Sequence, residues 1–272
     1  MTGHSPGVSD VTGIASGWFW QPALAGYGVA LLALVPFGAV WARQDPRTVE
    51  GESVAFKPTR FALSISAYML TAAAMFEYVR PERRSSVLPE ASVWMMIVGS
   101  TVELACITFQ AMRARRSHFN SSTPADAAIY ATMGMFAVLF IGAVFPLALE
   151  IACRPNEQAD RTMVQAIVAG LLVTGLVGGG TGGLMSAKGR RTIGRHGRGL
   201  PLLGWSMSGG DLRVPHFLGI HAMQALPFIA VAAGVFSPRR APWLFVLGAM
   251  AYVLLTVGLL HQALNTEPAT KE

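Results

Sequence analysis

AAIYATMGMFAVLFIGAVFPLAL, residues 127–149, runs for 23 positions without a charged side chain. The hydrocarbon core of a bilayer is about 30 Å thick and takes about 20 apolar residues of helix to cross. This stretch, extended to residues 127–151, therefore reads as a transmembrane span. Six others read the same way: residues 22–42, 61–79, 91–112, 163–187, 214–236 and 242–263. The expected fold is all-α, a polytopic integral membrane protein built as a bundle of seven transmembrane helices. With 272 residues, 52% hydrophobic and 13% charged, the chain leaves no room for a sizeable soluble domain, so residues 1–272 form one membrane domain.

The formal charge of +6 raises the question of nucleic acid. The basic residues are divided among short loops beside the spans and form no stripe with interleaved aromatics, so nucleic acid is not an expected partner. Membrane orientation explains them better. The loops after the first, third and fifth spans and the C-terminal tail hold 14 Lys and Arg, and the remaining segments hold 7. The heavier side is expected to be cytoplasmic, which puts the N-terminus out and the C-terminus in. Eighteen arginines against three lysines suggest a GC-rich genome and a bacterial cytoplasmic (inner) membrane. The N-terminal tail lacks the basic start of a signal peptide. Trp18, Phe19, Trp20, Trp41, Trp94 and Trp243 fall at span ends, as interfacial anchors do. Residues 188–205 mix five basic side chains with Leu200, Leu202, Leu203 and Trp205, a composition suited to resting on anionic lipid.

Three spans carry an internal proline, Pro36, Pro146 and Pro227, and these are expected kinks. The fifth span is glycine-rich in its second half, and the Gly175/Gly179 and Gly179/Gly183 spacings fit close helix packing. The alternative is a broken helix whose backbone faces a ligand. Cys106 and Cys153 lie at different depths and are not expected to pair.

Ionisable groups within a span are expensive and usually mark a pathway, a pair or a site. In the third span Ser100, Glu103 and Gln110 share a helical face that should look into the bundle. In the sixth, His221 and Gln224 are one turn apart and lie at a depth matching Glu103. A Glu103/His221 pair with Gln110 and Gln224 nearby is the sharpest constellation, and it suits proton transfer. A register-fixing polar network is the structural alternative. His118 would lie about 60° from Glu103 if the third helix continued through the arginines that follow it.

A second set, His118, His216 and His261, gathers toward the inner mouth, with Asp211 and Arg213 beside it. Three histidines with an open fourth position are a zinc pattern. Glu77 and Glu150 read as solvated charges at outer helix ends, and His4 and His196 as solvated tail and loop residues.

Retinal proteins also have seven spans, but Lys57, Lys188 and Lys271 all fall outside the expected spans, so no Schiff-base lysine is placed. Alkaline-ceramidase-type zinc hydrolases share the topology alone, because His261 has no His-x-x-x-His partner here. A membrane haem b needs two facing histidines at one depth, which His221 and His261 do not supply. Two readings remain. One is a small permease, proton-linked transporter or sensor built on the interior Glu/His/Gln set, with no cofactor. The other is an intramembrane enzyme holding zinc or haem b on histidines at the cytoplasmic mouth.

Overall fold

The computed structural model describes residues 21–194, 200, 205–206 and 210–266. The tail tryptophans, His4, His196 and the centre of the basic segment 188–205 lie outside these. Among the described residues, ten α-helices carry the fold: α1 (Pro22–Gln44), α2 (Phe56–Met75), α3 (Val87–Met112), α4 (Pro124–Gly142), α5 (Val144–Cys153), α6 (Arg161–Val173), α7 (Gly179–Lys188), α8 (Arg213–Ile220), α9 (Ala222–Phe236) and α10 (Ala241–Leu264). Two-stranded ribbons, β1 (Thr48–Val49) with β2 (Glu52–Ser53) and β3 (Thr192–Ile193) with β4 (Gly210–Asp211), trim two of the loops.

Several helices join end to end. Phe56–Tyr78, Pro124–Cys153 and Arg161–Lys188 are each continuous enough to count with α1, α3 and Pro238–Leu264 as six helices long and apolar enough to cross a membrane. A seventh is present if α8 and α9, bent by 58° at His221, form one span. The interruption between α4 and α5 sits at Ala143, three residues before Pro146, which has no N–H to offer the carbonyl of Gly142. In the sixth span the break falls six residues before Pro227, so proline alone does not place it.

Loop contacts sort the ends of the bundle. At one end Arg47 donates to the carbonyl of Met112 (3.0 Å), and Glu50 pairs with Arg116 (2.8 Å) and Arg191 (3.1 Å). The segments after α1, α3 and α7 therefore share that end, called the mouth below. At the opposite end Val79 bridges Pro155, Asn156 N–H donates to the Tyr78 carbonyl, and Arg83 clamps Glu150 at 2.8 Å. Glu150 is fully buried, with Arg154 also within 3.5 Å, and is not the solvated charge expected of a helix end. The Pro81–Arg83 turn folds the guanidinium over it.

Each span packs chiefly on its sequence neighbours, α3 on α2, α4 and α5, and α9 on α6 and α10. The main core runs through Leu24, Tyr68, Met96, Leu147, Leu171 and Met223. Trp94 and Trp243 keep 58% and 74% of their surface outside the bundle, as lipid-side anchors do.

Glycines in the fifth span pack closely along two rows: Gly175 and Gly179 lie against the fourth span, where a Cβ would sit 2.5 Å from Phe145 and 3.0 Å from Ile141, and a second row lies against the sixth. A Cβ on Gly178 would sit 2.7 Å from the Ile220 nitrogen, and one on Gly170 2.9 Å from the Ala222 oxygen. One on Gly182 would meet His216 at 3.1 Å. Gly170, Thr174, Gly178 and Gly182, each four apart, are thus the small residues facing α8 and α9, while Gly183 faces open space. Between α6 and α7 the chain widens into one π-helical turn, Thr174–Gly178, without breaking.

Candidate functional site

The third helix stops at Met112. Ala114 takes a left-handed conformation (φ 51°), the Arg115 N–H reaches back to the Gln110 carbonyl and the Ala114 N–H to that of Ala111. This is the double hydrogen bond of a Schellman end, here with alanine in place of glycine. The loop then turns back into the mouth instead of continuing as helix. The turn brings His118 to Glu103: Nε2 lies 3.4 Å from Oε1.

On the other side of the ring, Nδ1 lies 3.0 Å from Lys57 Nζ and 3.1 Å from Ser117 Oγ. An ammonium can only donate, so Nδ1 accepts and the ring proton sits on Nε2, facing the carboxylate. Lys57, His118 and Glu103 form a line from the mouth inward. Phe61, Phe119 and Tyr130 surround the imidazole at ring-centroid distances of 5.9, 6.1 and 6.3 Å. Burial among them pushes the His118 pKa below its ordinary 6.5, against the raising effect of Glu103 and with the lowering effect of Lys57. Glu103 is 5% exposed, and its Oε2 has no hydrogen-bond partner.

The other expected residues distribute as follows. Ser100, Glu103 and Gln110 are all buried, so their shared face does look inward. Gln110, however, donates to Asp126 (3.0 Å), a fully buried carboxylate that also receives Arg113 (3.0 Å), Arg115 (2.6 Å) and Thr123 (2.8 Å). That set ties the start of α4 to the end of α3. His221 sits at the bend, 3.3 Å from Gln224, which in turn donates to Thr71 of α2. Among the described residues no hydrogen bond or ion pair joins Glu103 to His221. Equal depth did not make them neighbours, because α3 packs on α2, α4 and α5 while His221 belongs to helices packed on the fifth span.

His216 donates through Nδ1 to the Gly178 carbonyl at the end of the π turn (2.9 Å), within electrostatic reach of His118 and His221. His261 is exposed and bonded to Asn265, apart from the other two mouth histidines. Among the described residues no three His, Cys, Asp or Glu side chains gather as a metal-ligating group. Asp211 is 5% exposed and lies two residues before α8, accepting the Arg213 N–H (3.0 Å) and its guanidinium (2.6 Å). Burial raises its pKa, but the Arg213 side chain and the Ser206 and Arg213 N–H groups outweigh burial and hold the carboxyl below the usual range.

Comparison with protein-family models, curated proteins and solved structures finds no match.

Two site residues escaped the sequence reading. Lys57 falls outside the expected span 61–79, but the helix begins at Phe56, so Lys57 lies in its first turn. Asp126 precedes the expected span 127–151 by one residue; Thr123-Pro124-Ala125-Asp126 has the spacing of a helix-start box, and Thr123 does accept the Asp126 N–H (3.1 Å).

The His118 environment has a consequence for stability. A histidine whose folded pKa lies below its unfolded value favours the fold fully above pH 6.5, and that contribution is lost as pH falls below it. In detergent, the unfolding temperature of the wild type should fall on acidification below pH 6.5, and the slope should flatten in His118→Gln. Equal slopes in the two proteins would contradict this account of His118.

Proposed function

We propose that this chain is a small proton-linked permease of the bacterial cytoplasmic membrane, crossing it seven times with the α8–α9 pair as one broken span. Its N-terminus is outside and its C-terminus and mouth inside, the orientation that the 14-to-7 division of basic residues supports. Residues 188–205 would then rest on anionic lipid of the inner leaflet, each basic group near the surface contributing about 1 kcal/mol.

The observation that carries the reading is the Lys57–His118–Glu103 line ending in a buried carboxylate oxygen without a partner. In this proposal a proton from the mouth binds Nδ1 of His118 as the proton on Nε2 passes to Glu103. One N–H bond forms, the other breaks, and the buried carboxylate is neutralised. The 3.4 Å approach needs only a few tenths of an ångström to reach hydrogen-bond length.

Reconstituted into liposomes with a trapped pH dye, the wild type should dissipate an imposed pH gradient faster than protein-free liposomes. Glu103→Gln should slow this about 100-fold, the typical effect of removing a positioned proton-transfer group. Wild-type flux in Glu103→Gln would sink the reading. A proton sensor would bind at the same carboxylate without flux, and the same measurement separates the two.

A further inference from the structure

A second buried polar atom stands without a partner in the bundle interior: the hydroxyl of Tyr68, a residue 2% exposed. Tyr68 packs its ring on Phe140 of α4, with centroids 4.7 Å apart. Phe140 in turn lies against α3 at Gly99, where a Cβ would be 2.8 Å from the Phe140 backbone. Gly99 is one turn inward of Glu103 on α3. The Tyr68 ring and Glu103 thus border the same α2/α3/α4 interior, about one helical turn apart in depth.

Side-chain direction closes that gap. Helical side chains lean toward the N-terminus of their own helix. The second helix starts at the mouth, so Tyr68 leans back toward Glu103; the third helix ends at the mouth, so Glu103 leans inward toward Tyr68. By this rule the two side chains lean toward each other's level from opposite directions.

The stripe on α2 that contains Tyr68 is itself unusual. Lys57, Phe61, Ser64, Tyr68 and Thr71 recur at intervals of four, three, four and three, which keeps them within about 40° of a line along one face. Its mouth end holds His118 through Lys57. Its inner end, Thr71, accepts from Gln224, and Gln224 bonds His221 at the bend of the sixth span. Tyr68 lies along α2 between these two hydrogen-bonded ends, and Glu103 adjoins the mouth set through His118.

We propose that the Tyr68 hydroxyl is the next proton carrier inward of Glu103, linked to it through bridging water and leading toward the Thr71–Gln224–His221 set. The proposal rests on the proton-linked reading of Glu103 and adds a direction to it. The protonated Glu103 carboxyl gives its proton to a water, and that water gives one of its own to the phenol oxygen. The phenol O–H bond breaks as the new one forms, and its proton passes to water on the far side. Each oxygen gains one proton and loses one, so neither phenolate nor hydroxide accumulates.

The test is Tyr68→Phe, which removes the hydroxyl and keeps the ring on Phe140. Removing a buried hydroxyl without a protein partner should leave the unfolding temperature unchanged or slightly higher. Proton flux in liposomes should fall at least tenfold. Meanwhile the infrared carboxyl band of Glu103, identified by its loss in Glu103→Gln, should still respond to pH at the mouth. Wild-type flux in Tyr68→Phe, with flux lost in Glu103→Gln, would overturn the Tyr68 step and leave the Glu103 reading intact. Wild-type flux in Glu103→Gln would overturn both. Loss of the Glu103 band response in Tyr68→Phe would also overturn the proposal, since the hydroxyl would then act on Glu103 itself and not beyond it.

Discussion

Replacing Gly219 with leucine is expected to prevent the protein from accumulating in folded form. A Cβ at this position would fall 2.5 Å from the Gly178 nitrogen and 2.6 Å from its Cα. Both are backbone atoms of the π turn, so no rotamer change relieves the contact. Overpacking usually costs about 1–3 kcal/mol, and a backbone-to-backbone clash lies at or above the top of that range. The crossing also positions His216 on the Gly178 carbonyl and holds the sixth span against the fifth. Gly180→Leu is the control, because a Cβ there meets nothing within 4 Å. Folded yield and thermal unfolding in detergent should collapse in Gly219→Leu and stay near wild type in Gly180→Leu. Equal behaviour of the two variants would refute the close crossing.

Thr174→Val should be the next most damaging change, despite altering shape very little. At the bend between α8 and α9 the regular ladder is interrupted, and the Gln224 N–H bonds the His221 carbonyl (3.1 Å) where a continuous helix would use that of Ile220. The Thr174 hydroxyl, fully buried, takes over on both sides of the break. It donates to the Ile220 carbonyl (3.2 Å) and accepts from the Met223 N–H (3.1 Å). A span broken inside hydrocarbon must have its freed backbone groups satisfied by something. Valine leaves two orphans at about 1–3 kcal/mol each, so a loss of about 2–6 kcal/mol is expected, with Thr174→Ser recovering most of it. Unchanged thermal unfolding in Thr174→Val would show that the bend does not depend on this hydroxyl.

How much of this was legible before the structure differs from residue to residue. The spans were readable because hydrocarbon imposes one requirement on every residue of a crossing, and charge is excluded over the whole length. Their ends were harder: Lys57 looks like a loop residue by charge, yet a lysine in the first turn of a helix can keep its ammonium at the mouth while its backbone is already helical. The inward face of α3 was also readable, since helical periodicity alone puts Ser100, Glu103 and Gln110 together, and all three are buried. Their partners were not. Gln110 answers to Asp126, sixteen residues on, and Glu103 to a histidine that reaches it only because the chain reverses at Ala114.

The glycine-rich fifth span makes the same point. Spacing promised close packing at Gly175 and Gly179, and it is present there against the fourth span, but a second row, Gly170, Thr174, Gly178 and Gly182, carries the contact with α8 and α9. A π turn, invisible to spacing rules based on 3.6 residues per turn, shifts which residues face the neighbour.

By itself, the sequence determined a chain of helices suited to a membrane, with a basic bias toward one end, and a short set of polar residues too costly to be there without a role. Those follow from local chemistry, the length of apolar runs and the energy of charge in hydrocarbon. Only the tertiary structure decided that Glu103 faces His118 and Lys57 and that the sixth span breaks over Thr174. Those depend on which helices touch and where loops turn back, and helix depth, the one coordinate a hydrophobic pattern supplies, carries no information about neighbours around the bundle.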